Sequence, residues 1–157
     1  MTSLLRRVAG YARMGFLPTL AASLAGCAPG PVPIAFGADR CVDCAHVIRD
    51  KPFAAQAATP EGRVYKFDSV ECLADWIGRH PDQPLGSAWV ADYEHPLRMI
   101  PAASAVYLPA ASARYPRAHL AAYAPTSAAA TRLAPGATPL RWPQLKEAAR
   151  RRLALGR

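Results

Sequence analysis

The spacing of apolar and polar residues predicts a pair of strands early in the central region. Residues 53–59 are small and mostly apolar, and residues 63–67 alternate between charged and apolar side chains. Alternation with a period of two is typical of a strand with one buried face. Pro60, Glu61 and Gly62 between the two runs are turn residues. Together these patterns predict a β-hairpin.

A helix and a third strand are predicted to follow this hairpin. Four apolar residues fall on one helical face, namely Val70, Leu73, Trp76 and Ile77. Asp68 and Glu71 have the spacing of a capping box, and His80-Pro81 ends the helical run. Residues 87–93 again have the pattern of a strand, and His95-Pro96 after them is typical of a loop.

The second half of the chain repeats this order more weakly. Residues 104–108 and 119–123 have strand patterns, and Thr126-Ser127 precedes a short helical run to Leu133. A basic segment from Pro143 to Leu155 predicts a final helix, because proline is favoured in the first helical turn. The predicted fold class is therefore α+β, ending in a C-terminal helix.

The N-terminus has the pattern of a bacterial lipoprotein signal. A basic start with Arg6, Arg7 and Arg13 precedes the short apolar run 14–22. The run ends in Leu-Ala-Gly before Cys27, which resembles a lipobox. We therefore expect export, loss of residues 1–26 and lipid on Cys27. The alternative is an ordinary signal peptide in which Cys27 is incidental.

Charge and motifs narrow the class of function. The net charge of +8 falls to +5 when the three arginines of the signal are removed. A moderate basic excess fits a protein near anionic phospholipid, and we expect no nucleic-acid partner for an exported protein. The sequence contains no hydrolase triad, phosphate loop or nucleotide-binding fingerprint, so no enzyme is predicted.

These patterns predict five successive regions. They are a signal peptide (1–26), a Pro-rich tether (27–38), a first module (39–98), a smaller second module (99–134) and a basic C-terminal helix (135–157).

Three cysteines and two histidines are candidate metal ligands. Cys41, Cys44 and His46 lie within six residues, a spacing that allows two sulfurs and an imidazole to reach one ion. Cys72 lies at the start of the predicted helix, where the helix dipole favours a thiolate. His119 lies at the corresponding place in the second half. Soft thiolates select copper(I) or zinc.

Other uses of these cysteines stay open at this stage. One is a Cys41–Cys44 disulfide with Cys72 buried and inert, in an interaction lipoprotein stapled by that disulfide or by zinc. Another is thiol–disulfide exchange, although such a C-x-x-C motif should begin a helix and no helix is predicted there. Covalent haem attachment needs a histidine directly after the second cysteine, where Ala45 stands.

The order of several short motifs resembles the NosL family of copper-binding lipoproteins. The motifs, in order, are Cys41-Val42-Asp43-Cys44, Ala54-Ala55-Gln56, Phe67-Asp68-Ser69, Cys72-Leu73, Trp89-Val90-Ala91-Asp92-Tyr93, Ile100-Pro101-Ala102 and Ala105-Val106-Tyr107. The resemblance covers residues 39–133. It implies two small ββαβ modules, related in fold to a domain of organomercurial lyase. It also implies periplasmic copper(I) handling, with delivery to nitrous oxide reductase during assembly of that enzyme.

The chain departs from the family at two motifs. The family commonly has Cys-x-x-Cys-Gly-Met, and here the last two positions are Ala45 and His46. A family Pro-Met-Gly segment is here Pro116-Arg117-Ala118, followed by His119. Thioethers favour copper(I), whereas imidazole also suits zinc. We therefore expect a copper(I) carrier with zinc as the alternative metal. A cuproenzyme or a membrane maturation complex is the expected partner. Ala28 after the lipidated cysteine favours the outer over the inner membrane.

Overall fold

The computed structural model of the chain describes residues 30–110, 119–133 and 139–155. Within them, seven strands form one mixed sheet, accompanied by helices, so the predicted α+β class and the C-terminal helix are confirmed. The elements in chain order are β1 (Ala55–Ala58), β2 (Val64–Phe67), α1 (Val70–Arg79), β3 (Ser87–Asp92), β4 (His95–Pro101), β5 (Val106–Ala110), β6 (His119–Tyr123), α2 (Ala128–Leu133), β7 (Leu140–Arg141) and α3 (Trp142–Ala154).

The sheet joins the two halves of the chain. In the first half, β1 pairs antiparallel with both β2 and β3, and β4 folds back along β3. In the second half, β5 pairs antiparallel with β6 and β7. The halves meet where Asp92 of β3 pairs in parallel with Ala122 of β6. The expected module boundary between residues 98 and 99 falls within β4, and both halves share one sheet.

Strand β4 replaces the loop that His95-Pro96 predicts. Most of its residues are exposed, and Ile100 is its one buried residue. The strand therefore lacks the alternation of apolar and polar residues by which a strand is predicted from sequence. It pairs with β3 and with no other strand among the described residues, and a proline is tolerated in an edge strand.

Helix α1 begins one residue later than the predicted capping box. Ser69 is the N-cap, and its hydroxyl accepts a hydrogen bond from the backbone N–H of Cys72 at 3.2 Å. Glu71 instead accepts a hydrogen bond from the backbone N–H of Leu120 at 2.7 Å. This bond ties the start of β6 to the first turn of α1. Asp68, which is not the cap, contacts the thiol of Cys44 instead.

Helices α1 and α3 bury their apolar faces on one side of the sheet, whereas α2 packs on the other side through Ala130. The Trp76 ring of α1 packs against Phe67 of β2, with ring centroids 5.8 Å apart. Leu145 and Ala149 of α3 are fully buried, and α3 also packs against α1. No helix in the described ranges combines the length and the apolar character required to cross a bilayer.

The described part of the predicted tether packs on the domain. Gln56 of β1 is fully buried, and its side-chain amide exchanges two hydrogen bonds with the backbone of Val32. The Lys66 ammonium donates to the carbonyl of Pro33 at 2.9 Å. Residues 32 and 33 are therefore fixed to the sheet, whereas a flexible linker would leave their backbone in solvent.

Candidate metal centre

The C-x-x-C segment forms a tight loop beside the end of β2. The backbone N–H of Cys41 donates to the carbonyl of His46 at 2.8 Å, and that of Ala45 donates to the carbonyl of Cys41 at 3.0 Å. Val42 donates to the carbonyl of Lys66 at 3.0 Å, which joins the loop to β2. Ala45 has φ of 62°, a left-handed conformation that costs a non-glycine residue about 1–2 kcal/mol.

Helix α1 provides the other side of the centre. The carboxylate of Asp43 in the loop forms an ion pair with Arg79 at the end of α1. Cys72 lies in the first turn of this helix, three residues after the Ser69 cap. The loop is therefore fixed along α1, with its thiols near the Cys72 thiol.

Four side chains converge between the loop and the helix. The sulfurs of Cys41, Cys44 and Cys72 and a carboxylate oxygen of Asp68 all lie within 4.8 Å of one another. Thiolates that share one ion at about 2.3 Å are about 3.8 Å apart in tetrahedral geometry. A contraction of about 1 Å or less would bring the four groups onto a single ion. The donor set of three sulfurs and one oxygen suits a soft or borderline cation.

The three thiols differ in their readiness to lose a proton. A hydrogen bond from the Cys72 thiol lowers the pKa of Cys41 to about 7, with help from the backbone N–H groups of Cys44 and Asp68. Acting as the donor in this bond raises the pKa of Cys72. Burial raises the pKa of Cys44 to about 11. At neutral pH, the metal-free centre therefore contains one partly ionised thiol and two protonated thiols.

Asp68 is the member of the group that the sequence analysis did not include as a ligand. Its carboxyl group is buried, and both of its oxygens lie 3.5 Å from the Cys44 sulfur, which donates a hydrogen bond to them. The sequence pattern predicts this residue as a helix cap. Its position four residues before Cys72, about one helical turn away, is the feature of the sequence that points to it as a ligand.

The two candidate histidines are placed differently from the cysteines. His46 is exposed, and its ring nitrogens are not in the group of four. Its backbone carbonyl accepts the hydrogen bond from the N–H of Cys41 that closes the loop. His119 begins β6, where its backbone pairs with Ala110, and its side chain lies outside the described structure. The bond between Leu120 and Glu71 brings this end of β6 to the first turn of α1. Cys27 also lies outside the described residues.

The alternative uses of the cysteines can be compared with this geometry. All three described cysteines are free thiols. The C-x-x-C loop does not begin a helix, because Val47 after it pairs with Arg40 in a short β-bridge. A thioredoxin-like exchange motif would place its first cysteine at a helix N-terminus. The loop therefore lacks the helix N-terminus at which a thiol–disulfide exchange motif places its first cysteine.

Comparisons with known proteins support the fold. The sequence matches no protein-family model and no curated protein. Among solved structures, the copper chaperone NosL from Shewanella denitrificans superimposes on this chain with a TM-score of 0.61. The fold is NosL-like. The match covers 76% of this chain and 98% of the NosL chain, at 16% sequence identity. At that identity, the similarity to NosL concerns the fold alone.

Proposed function

We propose that this chain is a lipid-anchored copper(I) carrier on the periplasmic side of a bacterial membrane. The observation that supports the proposal is the convergence of Cys41, Cys44 and Cys72 within 4.8 Å on a NosL-like fold. Its client would be a periplasmic cuproenzyme such as nitrous oxide reductase, or the membrane complex that assembles it. The proposed role is binding and transfer, with no chemical conversion of a substrate.

Copper(I) is the cargo that the three sulfurs favour. Thiolates are soft ligands that select copper(I) or zinc, and a donor set richer in sulfur than in oxygen favours copper(I). The low pKa of the Cys41 thiol supplies one thiolate near neutral pH, so the first metal–sulfur bond needs little proton displacement. Cys44 and Cys72 then lose their protons as the ion binds.

The exposure of the thiols supports transfer to a partner. Cys41 is buried, whereas Cys44 and Cys72 are only partly buried. A thiolate or imidazole of a client can therefore approach from the open side and displace these two sulfurs in turn. Val42, which is 48% exposed in the same loop, offers an apolar contact for that client. His46 and His119 stay predicted as additional ligands.

A lipid on Cys27 would keep the carrier near its partners. Confinement at a membrane raises the effective concentration for a client that is anchored to or assembled at the same surface. Stable anchoring takes more than one acyl chain, which a processed lipoprotein cysteine carries. The outer membrane is the proposed location, because residue 28 is alanine.

Copper(I) titration of the reduced chain from residue 28 onward tests the metal assignment. Without oxygen and against a competing chelator, we expect one copper(I) per chain. The double variant Cys41→Ser, Cys44→Ser should lose this binding, and His46→Ala, in the same loop, is the matched control. Unchanged copper(I) affinity in the double variant would contradict the proposal, and a loss in His46→Ala would add the imidazole to the ligand set.

Zinc is the second candidate because of the Asp68 carboxylate. Three thiolates and one carboxylate make a complete tetrahedral set for zinc, which accepts oxygen ligands more readily than copper(I) does. The substitution Asp68→Asn separates the two metals. A carrier of copper(I) should keep its copper(I) affinity within about ten-fold. A zinc site should lose zinc affinity by more than about ten-fold, with copper(I) binding weak in both proteins.

A further inference from the structure

The segment that follows the proposed anchor packs on the sheet face opposite α1 and α3. Phe67, whose ring contacts α1, pairs with Ala55, so Gln56 at the next position of β1 points to the other face. On that face, Gln56 binds the backbone of Val32, with an N–H to side-chain oxygen distance of 3.0 Å. The segment is therefore fixed to the sheet at Val32, five positions after the proposed anchor.

An apolar surface of exposed and half-buried side chains surrounds this point of attachment. It consists of Pro31, Val32, Phe36, Pro96 and Leu97, named here the anchor-side patch, which lines a cavity of about 360 Å³. Leu97 is 79% exposed and Val32 is 38% exposed. Such large exposed aliphatic side chains grouped on one surface are typical of a contact site.

A cation adjoins the anchor-side patch. The Lys51 ammonium lies 5.6 Å from the centre of the Phe36 ring. Arg98 follows Leu97 in β4, and the alternation of side chains along a strand directs it to the other face, where it forms an ion pair with Asp92. An apolar surface with a cation at its edge fits a membrane that carries anionic headgroups.

The length of chain between the anchor and the patch restricts how far the domain can move. Gly30 lies three positions after Cys27, and a fully extended chain spans at most about 11 Å over that length. Because the backbone at Val32 is fixed to Gln56, the restriction applies to the whole domain. Lipid on Cys27 therefore keeps the anchor-side patch within reach of the bilayer.

We infer that the anchor-side patch rests on the bilayer, with Leu97 among the lipid headgroups. The inference relies on the proposed lipidation of Cys27. It also keeps the metal centre near the membrane, because Cys41 lies five positions after Phe36 and can be at most about 18 Å from it. The thiols would then face a client at a fixed height above the membrane surface.

Quenching by brominated lipids tests this orientation. The full chain, processed and lipidated in a bacterium, is reconstituted in vesicles of phosphatidylethanolamine and phosphatidylglycerol with or without bromine on the acyl chains. Leu97→Trp is compared with Leu155→Trp, since Leu155 is 74% exposed and lies at the end of α3. The three native tryptophans provide a constant background that the unsubstituted protein measures.

The added emission of Leu97→Trp should shift to the blue and fall about two-fold in brominated vesicles, as expected for a side chain at the headgroup boundary. That of Leu155→Trp should change little. Equal, unquenched emission from both variants would overturn the inference. Mass measurement shows separately whether acyl chains are present, and their absence would refute both the anchor and the inference. Copper(I) content, measured on the same samples, tests the carrier function independently.

Discussion

Copper(I) binding should depend steeply on pH, because the metal displaces protons from the three thiols. Cys41 has a pKa of about 7, so it gives up about half a proton at pH 7. Cys44, with a pKa of about 11, and Cys72, whose pKa is also raised, each give up about one proton. Binding by all three thiolates therefore releases about two and a half protons at pH 7.

The proton count fixes the slope of affinity against pH. Affinity should rise about 300-fold per pH unit near pH 7. The slope should fall to about 100-fold per unit near pH 8.5, where Cys41 is already ionised and only two protons are displaced. The sign follows from competition, since lowering the pH restores protons to the sulfurs and releases the metal. The assay is competition with a chelator of known pH dependence, without oxygen.

The variant Cys72→Ala is the matched comparison. Without the Cys72 thiol as hydrogen-bond donor, the pKa of Cys41 should return toward its usual value. The two remaining thiols should then release about two protons from pH 7 to 8, with weaker binding overall. A slope of about one and a half protons at pH 7 in the unsubstituted protein would refute the reasoning, because it would mean that Cys72 keeps its proton.

Three further substitutions test the framework around the centre. Ala45→Gly should stabilise the metal-free chain by about 0.5 kcal/mol in urea unfolding, because relief of the left-handed strain exceeds the entropy cost of glycine. Destabilisation would contradict the loop conformation. Tyr107→Phe should cost about 1–2 kcal/mol in the same assay, since the buried hydroxyl donates to the Ala102 carbonyl at 2.7 Å; an unchanged midpoint would argue against that bond. Arg98→Ala should cost about 2 kcal/mol, because the Asp92 carboxylate is fully buried, and a loss below about 0.5 kcal/mol would mean that other groups compensate this charge.

The sequence predicted the elements whose buried faces repeat with a clear period. Helix α1 appears in the sequence because its apolar residues recur at helical spacing. Strand β2 appears because charged and apolar residue types alternate over residues 63–67, although the burial of its side chains does not alternate. Strand β4 does not appear, because an edge strand with most of its side chains exposed needs no alternation. The docking of residues 32 and 33 also could not be predicted, since it depends on Gln56, a polar residue buried by tertiary contacts.

The candidate centre was predictable only in part for a similar reason. Spacing along the chain identifies Cys41 and Cys44, and the helix start identifies Cys72. Asp68 joins them because Ser69 takes the cap position, a choice that local spacing does not determine. His46 is near in sequence, yet the chain reverses at Ala45 and the imidazole is exposed. Proximity along a loop therefore predicts ligands less well than position on the fold.

X-ray absorption of the copper(I)-loaded chain tests the central claim most directly, because it counts the sulfur atoms bound to the metal. Binding by Cys41, Cys44 and Cys72 predicts three sulfur neighbours per copper, falling to two in Cys72→Ala. One or no sulfur neighbour, with nitrogen or oxygen in their place, would contradict the account.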